Sequence, residues 1–258
     1  LPLILFPLTN IMPIKEVAPH YGSSIVFLFF GGFVMALALE KVNLHKRIAL
    51  GIIKITGTSP NRIVLGFMLA TALLSMWISN TASTLVMLPI GISVINLLID
   101  DEDGFTKNDR NFALSVMLGI AYAANSGGIA TIIGTPPNSV LIGFLESEYD
   151  ITISFLKGMI MGLPFSIIMI AIVYVILVYV AFPNRLARFE ASKELIAKEL
   201  EKLGGLSRKE KQVLAVFGVA ISLWIFRGLL NASFPGLELS DTEISMYAAI
   251  ALFAIPNK

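Results

Sequence analysis

Two long segments that contain no charged side chain, residues 63–99 and 111–145, constrain the fold of this chain more than any other feature. A helix of ~20 apolar residues crosses a bilayer core of about 30 Å, so each segment is too long for one straight helix and barely long enough for two. Of the 258 residues, 56% are hydrophobic and only 14% are charged. This composition predicts an all-α polytopic membrane protein.

Both segments carry polar residues at their centres. Residues 75–84 read Ser-Met-Trp-Ile-Ser-Asn-Thr-Ala-Ser-Thr, and residues 125–138 read Asn-Ser-Gly-Gly-Ile-Ala-Thr-Ile-Ile-Gly-Thr-Pro-Pro-Asn. A lone Ser or Thr commonly bonds back to its own helix, but an amide among several hydroxyls should face protein, water or a ligand. Pro136 and Pro137 lack an amide hydrogen and clash with the preceding turn. We therefore predict that the second segment forms two half-helices joined by an unwound link.

The rest of the chain predicts further helices and loops. Four more apolar segments are predicted to be helices in or entering the membrane, namely 23–39, 158–182, 213–226 and 244–255. Residues 44–55 place Leu44, Ile48, Ile52 and Ile55 at helical spacing in a basic segment, which predicts an amphipathic helix on the membrane surface. Residues 187–203 predict a second surface helix, ended by Gly204-Gly205, and residues 13–21 predict a loop.

The two basic segments of the chain, residues 40–62 and 183–212, are expected on the cytoplasmic side of the membrane. Three long apolar segments lie between them, namely 63–99, 111–145 and 158–182. Three crossings would place the basic segments on opposite sides, so one apolar segment should enter and leave on the same face. The residues alone leave open whether this re-entrant segment is 63–99 or 111–145, because the acidic loop 100–110 contributes little to the rule.

One re-entrant hairpin and one broken helix are typical of a transporter. Half-helix N-termini carry partial positive charge toward anions, and free carbonyl ends suit Na⁺. The residues at both breaks are neutral, so no carboxylate is present there to favour Ca²⁺ or Mg²⁺. The chain has no cysteine for a thiolate metal site, and it has no basic patch with interleaved aromatic residues that would predict a nucleic-acid partner.

The motifs Ser79-Asn80-Thr81 and Gly134-Thr135-Pro136-Pro137-Asn138 resemble those of the divalent anion/sodium symporter family, the dicarboxylate and citrate carriers. The resemblance covers nearly the whole chain. It implies the first inverted repeat of an elevator-type transporter, in which residues 63–99 form the re-entrant helical hairpin and residues 111–145 the broken transmembrane helix. It also implies a scaffold that forms a homodimer.

The same resemblance implies roles for individual residues. Ser75, Ser79, Asn80 and the backbone carbonyl near Gly134 would hold Na⁺, the coupling ion. A carboxylate of the substrate would be bound by four residues, namely Asn80, Thr81, Thr135 and Pro136. The implied function is sodium-coupled symport of a small di- or tricarboxylate, similar to succinate, by a multi-pass protein of the lipid bilayer of the cell (inner) membrane.

The family pattern divides the chain into four parts. We expect scaffold helices and a cytoplasmic surface helix in 1–62, the transport-domain hairpin and broken helix in 63–145, a transmembrane helix and basic cytoplasmic loop in 146–212, and the start of a second repeat in 213–258. Family members have a second Ser-Asn-Thr hairpin and a second broken helix, which this sequence lacks. We therefore expect the sequence to be a fragment of a two-repeat carrier.

Other functions fit parts of the same pattern. A sodium-independent carboxylate exchanger, or a carrier of sulfate or another oxyanion, would have the same fold. A structural membrane subunit would use the breaks only for packing. An intramembrane protease with Ser79 as nucleophile would need a nearby general base, but the only histidines, His20 and His45, are expected in loops, and we predict that the protein is not an enzyme.

Overall fold

The structure is a computed structural model, and it describes residues 1–57, 59–98, 106–184, 186, 191–234 and 236–255. Within these ranges all regular structure is helical. The helices are α1 (Pro2–Leu8), α2 (Ile14–Tyr21), α3 (Ser24–Lys41), α4 (Leu44–Thr56), α5 (Pro60–Ser75), α6 (Asn80–Leu98), α7 (Lys107–Gly128), α8 (Pro136–Tyr149), α9 (Phe155–Val175), α10 (Ala191–Lys202), α11 (Arg208–Ser233) and α12 (Asp241–Ala254).

Three described helices are long and apolar enough to cross a bilayer. They are α3, α11, and α9 together with the π-helical turn Ile176–Ala181 that continues it. The chain is therefore an all-helical integral membrane protein. Helix α11 is longer than the predicted segment 213–226, because Ser207 and Glu210 form a reciprocal cap at its start and Arg227 is neutralised by Asp241 across a 3.1 Å ion pair.

Each long uncharged segment is divided into two helices, as its polar centre indicated. The first is divided at residues 76–79, between α5 and α6, and the second at residues 129–135, between α7 and α8. Helix α7 continues through Asn125 to Gly128 while packed against α5, so only residues 129–135 leave the helix. Helix α8 begins at Pro136, where the missing amide hydrogen costs nothing.

Two buried hydrophobic clusters lie on either side of the breaks. The first is built mainly from α4, α5, α6 and α7, with Phe67, Met87 and Phe112 fully buried at its centre. The second is built from α3, α8, α9, α11 and α12, and it includes Ile132 and Ile133 of the second break. The unwound backbone therefore lies between two packed groups of helices, as membrane proteins require for backbone that leaves the helix.

The two basic segments lie together on one side of the molecule. Helix α10 packs against α4, and the guanidinium of Arg47 on α4 reaches the turn between α10 and α11. Its Nε donates to Glu210 Oε1 at 2.7 Å, and its terminal nitrogens donate to the carbonyl oxygens of Gly204 at 2.9 Å and Leu203 at 3.0 Å. This arrangement agrees with the expectation that both basic segments occupy the same face.

The predictions for two N-terminal segments were wrong in part. Residues 13–21 form α2 rather than a loop, with Pro13 in extended conformation just before the first turn. His20 and His45 therefore lie in helices and not in loops. The helix predicted at 44–55 is observed as α4, in which Ile53 packs against α5 and Ile55 is 86% exposed.

The predictions for the second surface helix and for the acidic loop differ from the structure only at their ends. Helix α10 ends at Lys202, and Gly204 follows with a φ of +64°, so the predicted glycine stop is confirmed. Its predicted start at residues 187–190 lies outside the described residues. Likewise, residues 100–105 of the acidic loop lie outside them, and the rest of that loop begins α7, where Thr106 and Asp109 form a reciprocal cap.

Candidate binding site at the two helix breaks

The first break positions Ser75 and Asn80 one turn apart. Helix α5 ends at Ser75, and α6 begins at Asn80. Ser79 caps α6, because its hydroxyl oxygen accepts the amide hydrogen of Ala82 at 3.2 Å and its carbonyl accepts the hydroxyl of Ser83 at 3.2 Å. The hydroxyl groups of residues 75–84 thus fall into two sets. Those of Ser79 and Ser83 stabilise α6, and that of Ser75 faces α7.

Three oxygen atoms meet where α5 and α6 contact α7. The buried Ser75 Oγ lies 2.7 Å from Asn80 Oδ1 and 2.6 Å from the carbonyl oxygen of Ala124. A hydroxyl carries one hydrogen, so Ser75 can donate fully to only one of these oxygens at a time. The cluster therefore holds three oxygen atoms with a single hydrogen among them, which is electron-rich for a buried position.

The Asn80 amide is bonded to an amide on α7. Asn80 Nδ2 donates to Asn125 Oδ1 at 3.1 Å, and this bond turns Asn80 Oδ1 toward Ser75. Asn125 lies on the exposed side of α7, one residue beyond the carbonyl of Ala124. The pair of amides thus joins the start of α6 to the last turn of α7 and directs an oxygen into the cluster.

Two glycines allow the breaks to approach each other. A side chain at Gly128 would collide with Asn80 Oδ1, and a side chain at Gly134 would lie 2.5 Å from the carbonyl oxygen of Gly128 and 3.0 Å from that of Ser75. Gly134 therefore lies against the carbonyl ends of α5 and α7. Of the four residues predicted to hold Na⁺, the structure brings together Ser75, Asn80 and Gly134, while the Ser79 side chain caps α6.

The second break is braced by side chains that satisfy its free backbone groups. Thr131 donates its hydroxyl hydrogen to the Met76 carbonyl at 2.5 Å and accepts the amide hydrogen of Gly134 at 3.0 Å. Asn138 Nδ2 donates to the carbonyl oxygens of Thr131 at 2.9 Å and Ile129 at 3.2 Å. Because these bonds replace the helical ladder, the unwound segment has a defined shape rather than a loose one.

The residues predicted to bind substrate are spread over both breaks. Asn80 belongs to the oxygen cluster, and Thr81 is exposed in the first turn of α6. Thr135 is half-buried and precedes α8 in extended conformation. Pro136 is exposed and lines a cavity of about 650 Å³ between α3 and α8. The structure therefore groups Thr81 with Asn80 on one break and Thr135 with Pro136 on the other.

The two half-helix N-termini at the breaks differ in what they can donate. On α8, Pro136 and Pro137 have no amide hydrogen, and the amide of Asn138 is bonded to the Thr135 carbonyl at 3.2 Å. On α6, the amides of Asn80 and Thr81 precede the intrahelical ladder and are available to an anion. The start of α6 is therefore the better anion donor, and the start of α8 contributes mainly through its dipole.

Aromatic rings connect the first break to the second hydrophobic cluster. Trp77, within the break, has its ring centroid 5.1 Å from that of Phe217 on α11 and 6.1 Å from that of Phe155 on α9. Phe155 in turn stacks on the buried Trp224 at 4.4 Å. The tip of the first break is thus held against α9 and α11, two of the three membrane-length helices.

Sequence reasoning quoted Asn125, Gly128, Thr131 and Asn138 within the second motif but assigned none of them a role. The structure places Asn125, Gly128 and Thr131 against the first break, and Asn138 braces the second break from within. The available signal was the presence of two amides, Asn125 and Asn138, near the centre of an uncharged segment, since an amide at membrane depth needs partners. The contribution of the Ala124 carbonyl had no signal in the sequence, because every residue has one.

Broken helices that meet at a cluster of neutral oxygen atoms, in a chain with membrane-length helices, define a class of membrane proteins with discontinuous helices around a binding site. The chain belongs to the family described as the sodium:sulfate symporter transmembrane region, whose model matches residues 1–256. This match confirms the resemblance drawn from the two motifs.

Two relatives are similar to the chain over its whole length. The sodium-dependent dicarboxylate transporter SdcS of Staphylococcus saprophyticus subsp. saprophyticus is 42% identical over 262 residues, and the protein of the same name from Staphylococcus aureus (strain USA300) is 40% identical over 261 residues. Each alignment covers 100% of this chain and 50% of the relative. The chain therefore spans half the length of these relatives.

Proposed function

We propose that this protein carries a small dicarboxylate across the membrane together with Na⁺. The observation that carries the proposal is the cluster of Ser75 Oγ, Asn80 Oδ1 and the Ala124 carbonyl, where the first helix break contacts α7 without a carboxylate. The names of the two relatives point in the same direction. Substrates of the di- or tricarboxylate type, similar to succinate, are the proposed cargo.

Sodium would bind at the oxygen cluster. Hydroxyl, amide and carbonyl oxygens are ligands that a hard cation prefers. A bound cation would also offset the repulsion between three oxygen atoms that share one hydrogen. The proposed ligands are Ser75, Ser79, Asn80 and a backbone carbonyl beside Gly134. The short contact of Ser75 with Asn80 and the close approach of Gly134 support this set, whereas Ser79 would have to release Ala82 to contribute its hydroxyl.

A substrate carboxylate would bind next to the sodium ion, at the start of α6. The amide hydrogens of Asn80 and Thr81 and the hydroxyl of Thr81 can donate to it, and the helix dipole favours its charge. Thr135 and Pro136 would contact it from the facing break. The bound cation would supply the positive charge that the neutral side chains lack.

The test is uptake of labelled succinate into proteoliposomes that contain the protein as its gene encodes it. We expect uptake driven by an inward Na⁺ gradient and little uptake with K⁺ in its place. Equal uptake in both salts would favour the sodium-independent exchanger of the same fold. Uptake of sulfate in preference to succinate would favour the oxyanion carrier, to which the description of the family also points.

A structural membrane subunit and an intramembrane protease are the alternatives of other classes. A structural subunit predicts no thermal stabilisation by Na⁺, while the proposed site predicts stabilisation that saturates with Na⁺ and is absent with K⁺. For the protease, the Ser79 hydroxyl is engaged as a helix cap, and His45 donates to the Leu39 carbonyl rather than to a serine. Both observations favour transport over catalysis.

We also propose a topology for transport. Helices α5 and α6 would form a re-entrant hairpin with Ser-Asn-Thr near its tip, since α5 is shorter than all three membrane-length helices and both basic segments lie on one face. The hairpin and the broken helix α7–α8, residues 63–145, would move as a transport domain. Residues 1–62 would belong to the scaffold, followed by a transmembrane helix and basic loop in 146–212 and the opening of a second repeat in 213–258.

The scaffold is proposed to form a homodimer in the cell (inner) membrane, where it would support an elevator-type motion of the transport domain. A cysteine pair introduced across the cavity between α3 and α8, for example at Phe29 and Val140, tests the motion. Cross-linking in one transport direction, with loss of uptake restored on reduction, would support it. Full uptake in the cross-linked protein would contradict it.

A further inference from the structure

A groove of about 400 Å³ runs along α6, between this helix and α10, with α4 at one end. It is separate from the oxygen cluster. Apolar side chains form its walls, namely Leu50, Leu85, Val86, Pro89, Ile90, Val94, Ile196 and Leu203. Three charged side chains, Lys46, Glu199 and Lys202, line the same groove.

Besides the paired residues Lys202 and Glu199, the groove has one further positively charged residue, Lys46. Lys202 bonds to Glu199 on the same helix at 2.5 Å, so these two charges largely cancel. Among the ion pairs of the described residues, none includes Lys46, which is exposed on α4. An anion placed between Lys46 and Lys202 would compete with Glu199 for Lys202, but it would bind Lys46 without competition from Glu199.

The surroundings of the groove are strongly basic. Residues 40–62 contain five Lys or Arg and one acidic residue, and residues 198–211 contain five Lys or Arg and three acidic residues. The contacts of Arg47 with Glu210, Gly204 and Leu203 hold these two segments together. A face with this excess of positive charge attracts the anionic headgroups of a cytoplasmic leaflet.

The apolar walls identify the rest of the ligand. Leu85 is 65% exposed on α6, and Pro89 beside it is also exposed. A free inorganic anion would contact the lysines but leave this surface uncovered, whereas an acyl chain would cover it. We propose that the groove binds an anionic phospholipid, with its phosphate between Lys46 and Lys202 and one acyl chain along Leu85, Pro89 and Ile90.

The consequence is that a lipid would join α6 to α4 and α10. The three helices contact one another only in part within the described structure, and the groove is the gap between them. A lipid in this gap would hold α4 and α10 against α6, one of the two helices of the proposed hairpin. The proposal depends on the groove and on its charges, and it stands whether or not the oxygen cluster binds sodium.

The first experiment is photolabelling in nanodiscs, with the protein as its gene encodes it. A phosphatidylglycerol with a photoreactive acyl chain is compared with the matching phosphatidylcholine probe, and the labelled peptides are identified by mass spectrometry. We expect phosphatidylglycerol to label residues 85–94 and 196–203 more strongly than phosphatidylcholine does. Equal labelling by the two probes, or absence of label from the groove because another protein segment covers it, would overturn the proposal.

The second experiment measures the charge dependence. The double variant Lys46→Gln/Lys202→Gln is compared with Lys54→Gln, an exposed lysine of α4 outside the groove. At roughly fivefold per lysine, we expect the preference for phosphatidylglycerol to fall about 5- to 30-fold in the double variant and little in the control. An unchanged preference in a folded double variant, or full protection of the groove from labelling by inorganic phosphate, would contradict the proposed lipid. If the double variant fails to fold, Lys46→Arg should retain the preference and Lys46→Gln alone should lose part of it.

Discussion

Gly128 lies so close to the side-chain oxygen of Asn80 that no β-carbon fits between them. Gly127, its neighbour, has an equally close contact, but with the backbone of Ala72 on α5. A β-carbon added at Gly128 would thus contact a side chain, and one added at Gly127 would contact backbone. A side-chain amide can rotate away at small cost, whereas the backbone of a packed helix cannot.

We therefore expect different results from Gly127→Ala and Gly128→Ala. Gly127→Ala should lower the free energy of unfolding by about 1–3 kcal/mol, because α7 must move away from α5. Gly128→Ala should cost less stability but turn Asn80 Oδ1 away from Ser75, and so weaken Na⁺-dependent stabilisation. Thermal unfolding with and without Na⁺ separates the two effects.

A matched control for both variants is Gly218→Ala on α11, where an added β-carbon meets no atom within 4 Å. This change should leave the protein as stable or raise its stability by up to about 1 kcal/mol, the helix propensity of Ala over Gly. If Gly128→Ala lowered stability as much as Gly127→Ala while leaving the sodium response intact, the predicted role of the Gly128–Asn80 contact would be wrong.

Asn80→Ala should abolish sodium-stimulated uptake. The change removes the oxygen that faces Ser75 and the amide hydrogens that bond to Asn125, so both the proposed ion site and its orientation are lost. We expect a loss of more than about tenfold in apparent Na⁺ affinity, from the roughly 1.5–3 kcal/mol of a bond to a charged group. The control is Asn96→Ala, an exposed amide near the end of α6.

Unchanged Na⁺-dependent uptake in Asn80→Ala would contradict the assignment of the site, whatever the total rate. Asn125→Ala provides a graded comparison. It keeps the Asn80 oxygen but removes the bond that orients it, so we expect a weaker Na⁺ affinity than in the natural protein and a stronger one than in Asn80→Ala.

The ion pair of Arg47 and Glu210 should contribute to stability in spite of its polarity. The two side chains are only 18% and 6% exposed, and Arg47 also bonds to two backbone carbonyls. Arg47→Ala would leave Glu210 and these carbonyls without their partner, at a cost of about 2 kcal/mol after allowance for partial exposure. We also expect faster proteolysis within residues 203–207.

Lys211→Ala, an exposed lysine beside Glu210, is the control for charge alone. Its stability and proteolysis should match the natural protein. Equal sensitivity of Lys211→Ala and Arg47→Ala would show that net charge, and not the contacts of Arg47, holds the turn between α10 and α11.

Stability should fall in mild acid because of His45. This side chain is buried in α4, and burial lowers its pKa below the ordinary value near 6.5, although the Leu39 carbonyl and Glu40 act in the opposite direction. The neutral ring donates from Nδ1 to the Leu39 carbonyl at 3.0 Å. The unfolded chain therefore gains a proton at a higher pH than the folded chain does.

The sign follows from this difference in proton binding. The stabilising contribution of neutral His45 is complete above a pH of about 6.5 and decreases as the pH falls toward the lower folded-state pKa. His45→Asn keeps a neutral donor for Leu39 and should flatten this part of the profile. Unfolding midpoints between about pH 5.5 and 8 test the prediction, and identical slopes in both proteins would refute it.

The helix breaks could be predicted from the sequence because local chemistry determines them. Paired prolines cannot continue α7 into α8, and a Ser-Asn-Thr motif provides the cap and first residues of a new helix.

What could not be predicted are the contacts between distant parts of the chain. Arg47 and Glu210 are separated by 163 residues, and each reads as one charge among many in a basic segment. Asn80 and Asn125 are separated by 45 residues, and their pairing depends on how far α7 continues before it unwinds. The error at residues 13–21 has a local cause: a prolyl start and several polar residues resemble a loop, but Pro13 precedes the first turn of α2.

The aromatic contacts of the first break have a practical consequence. Trp77 and Trp224 are the two tryptophans of the 258-residue sequence, and both lie against Phe155. The intrinsic fluorescence of these residues therefore comes from one small region, a few residues from Asn80. Any ligand that shifts the tip of the break relative to α9 and α11 will change the emission of Trp77, and comparison with Trp77→Phe assigns the change to this residue without an attached dye.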